Sequence, residues 1–462
     1  MTGPSDPAPS DPASLAAEVC GAEAGGESNG EDGGVRGPMA AVGALGGAFL
    51  FSLPGLVVRL GGVGLGNWLA PIVYGIAILG SAFLLAWAAE VLQLDVSKGL
   101  ALTVLALIAV LPEYAVDFAF AFKAGERPHK YAPLALANMT GGNRLLIGVG
   151  WALVVLLAAW RMTRGARRRG YRGPLDTDVI LERPHAIEIG FLAAATLYSL
   201  TLPLRRTLTI VDAIVLISIF GLFVFRVSRA PAETPHLVGP AQLLATLPTA
   251  RRRTVEVVLL VYAAGVIFAC AEPFAESLVH LGEQAGVSTF LLVQWLAPLA
   301  SEAPELVVAG LFAWRLNTSA GFGTLLSSKV NQWTLLVGSL PIVFAVSAGH
   351  LSGLPLDSLQ REEIFLTAAQ SVFAIAVLAN RRVSVREAWM LFGLFLGQFV
   401  LGGVLPGGLR EFERITVGVV YLVLAAGILV QQRAVLRPLA RDGLVVPVAE
   451  LFHEDQLAEE RP

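Results

Sequence analysis

Charge is what this chain has least of. Of its 462 residues only 15% are Asp, Glu, Lys or Arg, against 55% hydrophobic, and the mean hydropathy is +0.67. A soluble protein carries about 25% charged residues, so a soluble fold is excluded and an integral membrane protein is expected. Cysteine is nearly absent too: Cys20 and Cys270 alone give neither a disulfide framework nor metal-ligand spacing. The six histidines are unclustered, and the basic residues are almost all arginine, with only four lysines. The formal net charge of −3 is uninformative, because the charges gather in loops and tails. Also missing are a Gly-x4-Gly-Lys phosphate loop, a His-Glu-x-x-His zinc motif, a Gly-x-Ser-Gly serine paired with a membrane histidine, and a Gly-Asp aspartate pair. Their absence argues against an ATP-driven pump and an intramembrane enzyme. No cofactor and no nucleic-acid partner is expected, and the oligomeric state is not readable.

What the chain does have is long apolar runs. Residues 1–38 are rich in Gly, Ser, Pro, Asp and Glu and predict a disordered cytoplasmic tail. Behind them come about twelve runs, each long enough at about twenty residues to span a bilayer. They are 39–61, 69–92, 99–122, 132–160, 187–204, 208–227, 254–278, 288–314, 321–346, 363–380, 385–404 and 412–431. The polar stretch 228–253 reads as a cytoplasmic linker between two transmembrane halves, 39–227 and 254–431, and 432–462 as a cytoplasmic tail. Arginine is about twofold richer in loops after even-numbered spans, RMTRGARRRGYR (161–172) above all, so both termini are expected in the cytoplasm.

Two short segments are variants of each other and put carboxylates inside apolar runs: LIAVLPEYAVDFAFAF (107–122) and LASEAPELVVAGLFAW (299–314). With Pro112-Glu113 on Pro304-Glu305, Val116 meets Val308, Phe120 meets Phe312 and Phe122 meets Trp314. A companion run follows each, NMTGGNRLLIGVG (138–150) and SSKVNQWTLLVG (327–338), aligning Asn143 with Asn331 and Gly150 with Gly338. The repeats, 99–160 and 288–346, sit in units of about five spans. An odd number inserts the second unit upside down, so the fold expected is an all-α polytopic membrane protein of two inverted-topology repeats.

A carboxylate at bilayer depth is expensive and marks an ion or proton pathway by default. Pro112 and Pro304 free carbonyl oxygens a turn earlier, and oxygen sets of that kind suit hard cations. Asp117 lies one turn beyond Glu113 and Glu302 three residues before Glu305, though their counterparts are Ala309 and Val110. Ser301, Ser328, Thr140, Asn143 and Asn331 supply neutral oxygens, and Gly141-Gly142 permits close helix approach or a local break. Arg144 is a candidate structural partner for a membrane glutamate. Lys329 either snorkels to a membrane face or enters the site, pairing with Glu113, Glu302 or Glu305 as a charge substitute or proton site.

At LPE (111–113), SEAPE (301–305) and SSKVNQWTLLVG the chain resembles the calcium/cation antiporter superfamily, which includes the sodium/calcium exchangers and proton-coupled calcium exchangers. The resemblance covers four helices clearly and about 70–404 by topology. It implies alternating access, with Glu113 and Glu305 as a central metal-binding pair and Asp117, Glu302, Asn143, Asn331, Ser301 and Ser328 as further cation ligands. Three departures stand out. Ala109 and Val110 replace hydroxyl residues, Lys329 replaces a polar or acidic ligand, and NMTGGNR fits the Gly-Ser-Asn pattern poorly. The expected function is therefore secondary antiport of Ca2+, or another cation, against Na+ or H+ in the cell membrane. Na+/H+ exchange with Lys329 in the site and a non-transporting scaffold or sensor stay open.

Overall fold

The computed structural model describes residues 33–66, 68–95, 110–171, 173, 175–230, 237, 239–286 and 288–452. The expected tail before residue 33 and the stretch 99–109 of the third span lie outside them. Twelve helices follow in order: α1 (Gly33–Gly61), α2 (Leu69–Leu92), α3 (Leu111–Glu126), α4 (Pro128–Arg168), α5 (Ala186–Ser199), α6 (Ile210–Val227), α7 (Thr249–Ala285), α8 (Thr289–Trp314), α9 (Thr318–Ala348), α10 (Ser358–Leu378), α11 (Val385–Val404) and α12 (Gly407–Gln431). A short helix, Pro240–Ala245, precedes α7, and an amphipathic helix, α13 (Arg433–Leu444), follows α12.

Ten of these are long and apolar enough to cross a membrane. The other two expected spans fall on α3, described only from Leu111, and on α10. Helix α10 opens earlier than the apolar run suggests, because Asp357 and Gln360 form a capping box at its start. Its first turns thereby take in Arg361, Glu362 and Glu363, which lower its hydropathy.

Two small ribbons expose the internal symmetry. Strand β1 (Val179–Ile180) pairs with β4 (Arg382–Val383), and β2 (Thr207–Leu208) with β3 (Leu354–Pro355). One constant shift along the chain carries β1 onto β3 and β2 onto β4. Under it the pair Val179–Val383 becomes Leu354–Leu208, the other observed pair. The same shift carries the Thr209–Asp212 capping box of α6 onto the Ser384–Glu387 box of α11. Helix packing obeys the exchange in part: α11 lies on the middle of α4 as α6 lies on the middle of α9, whereas α4 meets α8 mainly through Pro128–Leu145 and α9 meets α3 mainly through Val337–Ala348. The chain is two inverted five-helix units, α2–α6 and α7–α11, with α1 and α12 outside them.

Burial follows from lipid as solvent. Helices α1, α11 and α12 present Val57, Val404 and Val423 outward, and only 17–22% of their apolar windows is buried. For α8 and α9 that share is 61% and 67%. These two, with α3 and α4, form the centre of the bundle and carry the polar residues that the surrounding helices screen from lipid.

Candidate cation site

Helix α3 begins at Leu111, so Pro112 occupies its first turn, where a missing N–H costs least. Pro304 lies inside α8, as does Pro298. Both placements turn the following carboxylates toward the bundle centre: Glu113, Asp117, Glu302 and Glu305 are all buried and within electrostatic reach of one another. In α4 and α9 a π-helical turn follows each motif asparagine, at Leu146–Trp151 and Gln332–Leu336. Such turns loosen the backbone ladder and recur at functional sites.

A narrow polar cavity, closed too tightly here to admit a water-sized sphere, lies between α3, α4, α8 and α9. Glu113, Asp117, Asn138, Ser301, Glu302 and Gln332 line it. Asn138 donates to Asp117 Oδ1 at 2.8 Å, and Gln332 to Glu302 Oε1 at 3.4 Å. Among the described residues, six buried oxygens on these walls have no hydrogen-bond partner: both of Glu113, Asp117 Oδ2, Glu302 Oε2, Asn138 Oδ1 and Gln332 Oε1. Each of the six can only accept, apart from a carboxyl that takes up a proton. Among the described residues no three His, Cys, Asp or Glu side chains converge into a metal cage. The carboxylates surround the cavity together with amide oxygens.

Of the other expected residues, Ser301 lines the cavity and the rest sit beside it. Glu305 turns aside from it and accepts from Ser328 Oγ at 2.9 Å. Ser301 Oγ bonds back to the carbonyls of Ala297 and Pro298. Asn331 Oδ1 accepts from the Tyr114 hydroxyl at 2.7 Å. Asn143 directs both of its oxygens to Lys329 Nζ, Oδ1 at 2.7 Å and the carbonyl at 3.1 Å.

Three expectations need correction. Thr140 offers no oxygen to the site, because its hydroxyl donates to its own helix at Leu136, the usual resolution for a buried helical threonine. Lys329 neither snorkels nor pairs with a carboxylate; it is fully buried and held by Asn143, with the Trp333 ring centroid 4.7 Å away. Arg144 is not a partner of the motif glutamates. It points to the opposite side of α4, where Glu363 takes it at 2.6 Å and Gln398 at 3.0 Å. The site therefore sets four carboxylates against Lys329, with Arg144 directed elsewhere. Asn138 and Gln332 escaped notice as wall residues. Their one signal was an amide in an apolar run, next to asparagines that drew the attention.

A helical bundle of inverted repeats with carboxylates at its centre defines a secondary transporter. The sequence matches the family model described as "Sodium/calcium exchanger protein" over residues 67–229 and 255–401. The chain belongs to that family, and is an integral membrane cation antiporter rather than an enzyme. Among solved structures it is similar to the "H+/Ca2+ Exchanger CAX", at 39% identity and a TM-score of 0.78 over 87% of this chain and 98% of that one. It shares the fold of native YfkE, at 15% identity and TM-score 0.55, over 78% of this chain and 98% of that one. The same holds for the selenium-substituted "Ca2+/H+ antiporter" YfkE, at 14% and 0.56, over 78% and 99%. No curated protein matches the sequence significantly.

Proposed function

We propose that the protein exchanges Ca2+ against H+ by alternating access, with both termini in the cytoplasm. Glu113, Asp117 and Glu302 bind at the cavity, and Glu305 with Ser328 completes the site. The observation that carries this is the wall of six unpartnered oxygens, all acceptors. An uncompensated buried carboxylate costs several kcal/mol, and two such charges 4 Å apart repel by about 4 kcal/mol even at an effective dielectric of 20. The group is therefore neutralised by a bound cation or by protons. Both neutralise the same oxygens, so loading one displaces the other, and that competition is the chemistry of exchange. A divalent ion suits an all-oxygen set of carboxylates and amides. The 39% identity to a proton-coupled calcium exchanger supports H+ as the counter-ion.

The test is uptake of radioactive Ca2+ into proteoliposomes under imposed H+ or Na+ gradients, with internal pH followed in parallel, for wild type, Glu113→Gln and Glu305→Gln. Ca2+ uptake coupled to proton release, lost in both variants while they unfold at the wild-type temperature, is the expected result. Ca2+ uptake driven by Na+ would change the counter-ion. A Na+-driven pH change without Ca2+ would move the assignment to monovalent exchange. Silence from folded protein would favour the scaffold reading.

A further inference from the structure

Lys329 is a fully buried amine at the centre of the bundle with no carboxylate among the described residues at ion-pair distance, although the charge of Glu302 is within electrostatic reach. It sits between Ser328, which holds Glu305, and Asn331, which holds Tyr114. Its partners are a backbone carbonyl, an amide oxygen and an aromatic face, at 3.1, 2.7 and 4.7 Å. Neutral oxygens and a π face are what a monovalent cation takes when it sheds water. The carbonyl belongs to Asn143, just ahead of the π-helical turn of α4. The mirror-related asparagine, Asn331, receives instead a neutral phenol from Tyr114. At Asn143 the chain supplies the cation itself.

We propose that Asn143 O, Asn143 Oδ1 and the Trp333 ring form a monovalent-cation subsite, filled permanently by the Lys329 ammonium. One positive charge of the loaded transporter is then tethered and never carried. The cavity lined by Glu113, Asp117 and Glu302 keeps the cargo, and the chain binds one monovalent ion fewer than the same scaffold without the lysine. Exchange by the wild type accordingly needs no Na+ or K+ at this position. The consequence for transport rests on the antiport reading above; occupancy of the subsite does not.

Lys329→Met removes the charge and keeps an unbranched stem, and Lys329→Arg keeps the charge. The full chain is purified and its thermal unfolding followed at equal ionic strength in NaCl, KCl and choline chloride. The expected result is that Lys329→Met unfolds several degrees higher in NaCl or KCl than in choline, whereas wild type and Lys329→Arg do not distinguish the salts. In proteoliposomes the methionine variant is expected to need Na+ or K+ and to move one additional positive charge per Ca2+. Recovery of folded Lys329→Met in NaCl or KCl but not in choline also supports the subsite. Equal stability in all three salts, or failure to fold in any, overturns it and leaves Lys329 a structural amine. Salt-selective stabilisation without any flux would retain the subsite and remove the transport reading.

Discussion

Gly141 and Gly142 are neighbours on α4 that face α8 at different atoms, and adding one methyl group at each should separate stability from function. A Cβ at Gly141 would lie 1.8 Å from the backbone oxygen of Gln294. Neither helix can yield there without moving as a body, since the obstacle is main chain. Over-packing of this kind costs about 1–3 kcal/mol, and the penalty falls on the α4–α8 contact itself. A Cβ at Gly142 would lie 2.2 Å from Glu302 Oε1, the free end of a side chain. That carboxylate can retreat by about 1 Å to reach ordinary contact, losing Gln332 and distorting the cavity wall while the helices stay in place.

Gly141→Ala should therefore lower the unfolding temperature by several degrees. Gly142→Ala should unfold close to wild type but bind Ca2+ about tenfold more weakly, a difference of about 1.4 kcal/mol. Thermal unfolding of the purified protein and calorimetric Ca2+ titration measure the two effects separately. If the two variants lose stability and affinity in the same proportion, the distinction between a backbone and a side-chain obstacle is wrong, and Glu302 is not placed by the space above Gly142.

Removing one partner of a buried ion pair leaves the other charge stranded, at about 3–5 kcal/mol. Arg144→Met should lose stability toward the lower end of that range, because Glu363 keeps Gln294 at 2.8 Å and Arg414 at 4.0 Å, and Arg144→Met/Glu363→Met should recover most of it, read by thermal unfolding; a double variant as unstable as the single would show that the pair is not the reason. Asp95, beyond the end of α2, accepts from Arg252 at 2.7 Å and Arg253 at 2.9 Å, which holds its carboxyl down at about 2. A lowered carboxyl stabilises at pH values above its ordinary value of 3.8 and loses that contribution as pH falls toward 2. The advantage of wild type over Asp95→Asn should accordingly still be present at about pH 5 and shrink below about 4, as measured by unfolding across pH; its disappearance already at about pH 5 would contradict the ion pairs.

The carboxylates were legible because each stands alone in an apolar run, and the proline beside it made the duplication visible. The inverted arrangement followed from counting spans. Other features were out of reach for a physical reason. Arg144 and Glu363 meet across 219 positions, and a sequence shows that each is charged without showing which of several opposite charges it meets. The π-helical turns leave no compositional mark, since LIGVGW and QWTLL read as ordinary apolar helix. The two-residue ribbons are too short to produce an alternating pattern. One signal was readable and passed over: Asp-Ser-Leu-Gln at 357–360 is a capping-box sequence that marks the true start of α10.

The two halves share a frame but not a chemistry, and the difference is systematic. Aligning Asn143 with Asn331 sets Lys329 opposite Gly141, Ser328 opposite Thr140 and Gln332 opposite Arg144. On α9 those positions hold donors that reach inward, Ser328 to Glu305, Lys329 to Asn143 and Gln332 to Glu302. On α4 they hold a glycine pressed against α8, a threonine bonded to its own helix and an arginine directed away. Donors thus serve Glu305, Asn143 and one oxygen of Glu302, while among the described residues most of the acceptors lacking partners lie on α3, α4 and α8. A symmetric pair of repeats would have two equivalent half-sites. This arrangement satisfies one side from within the chain, and concentrates the need for an external positive charge at Glu113, Asp117 and Glu302.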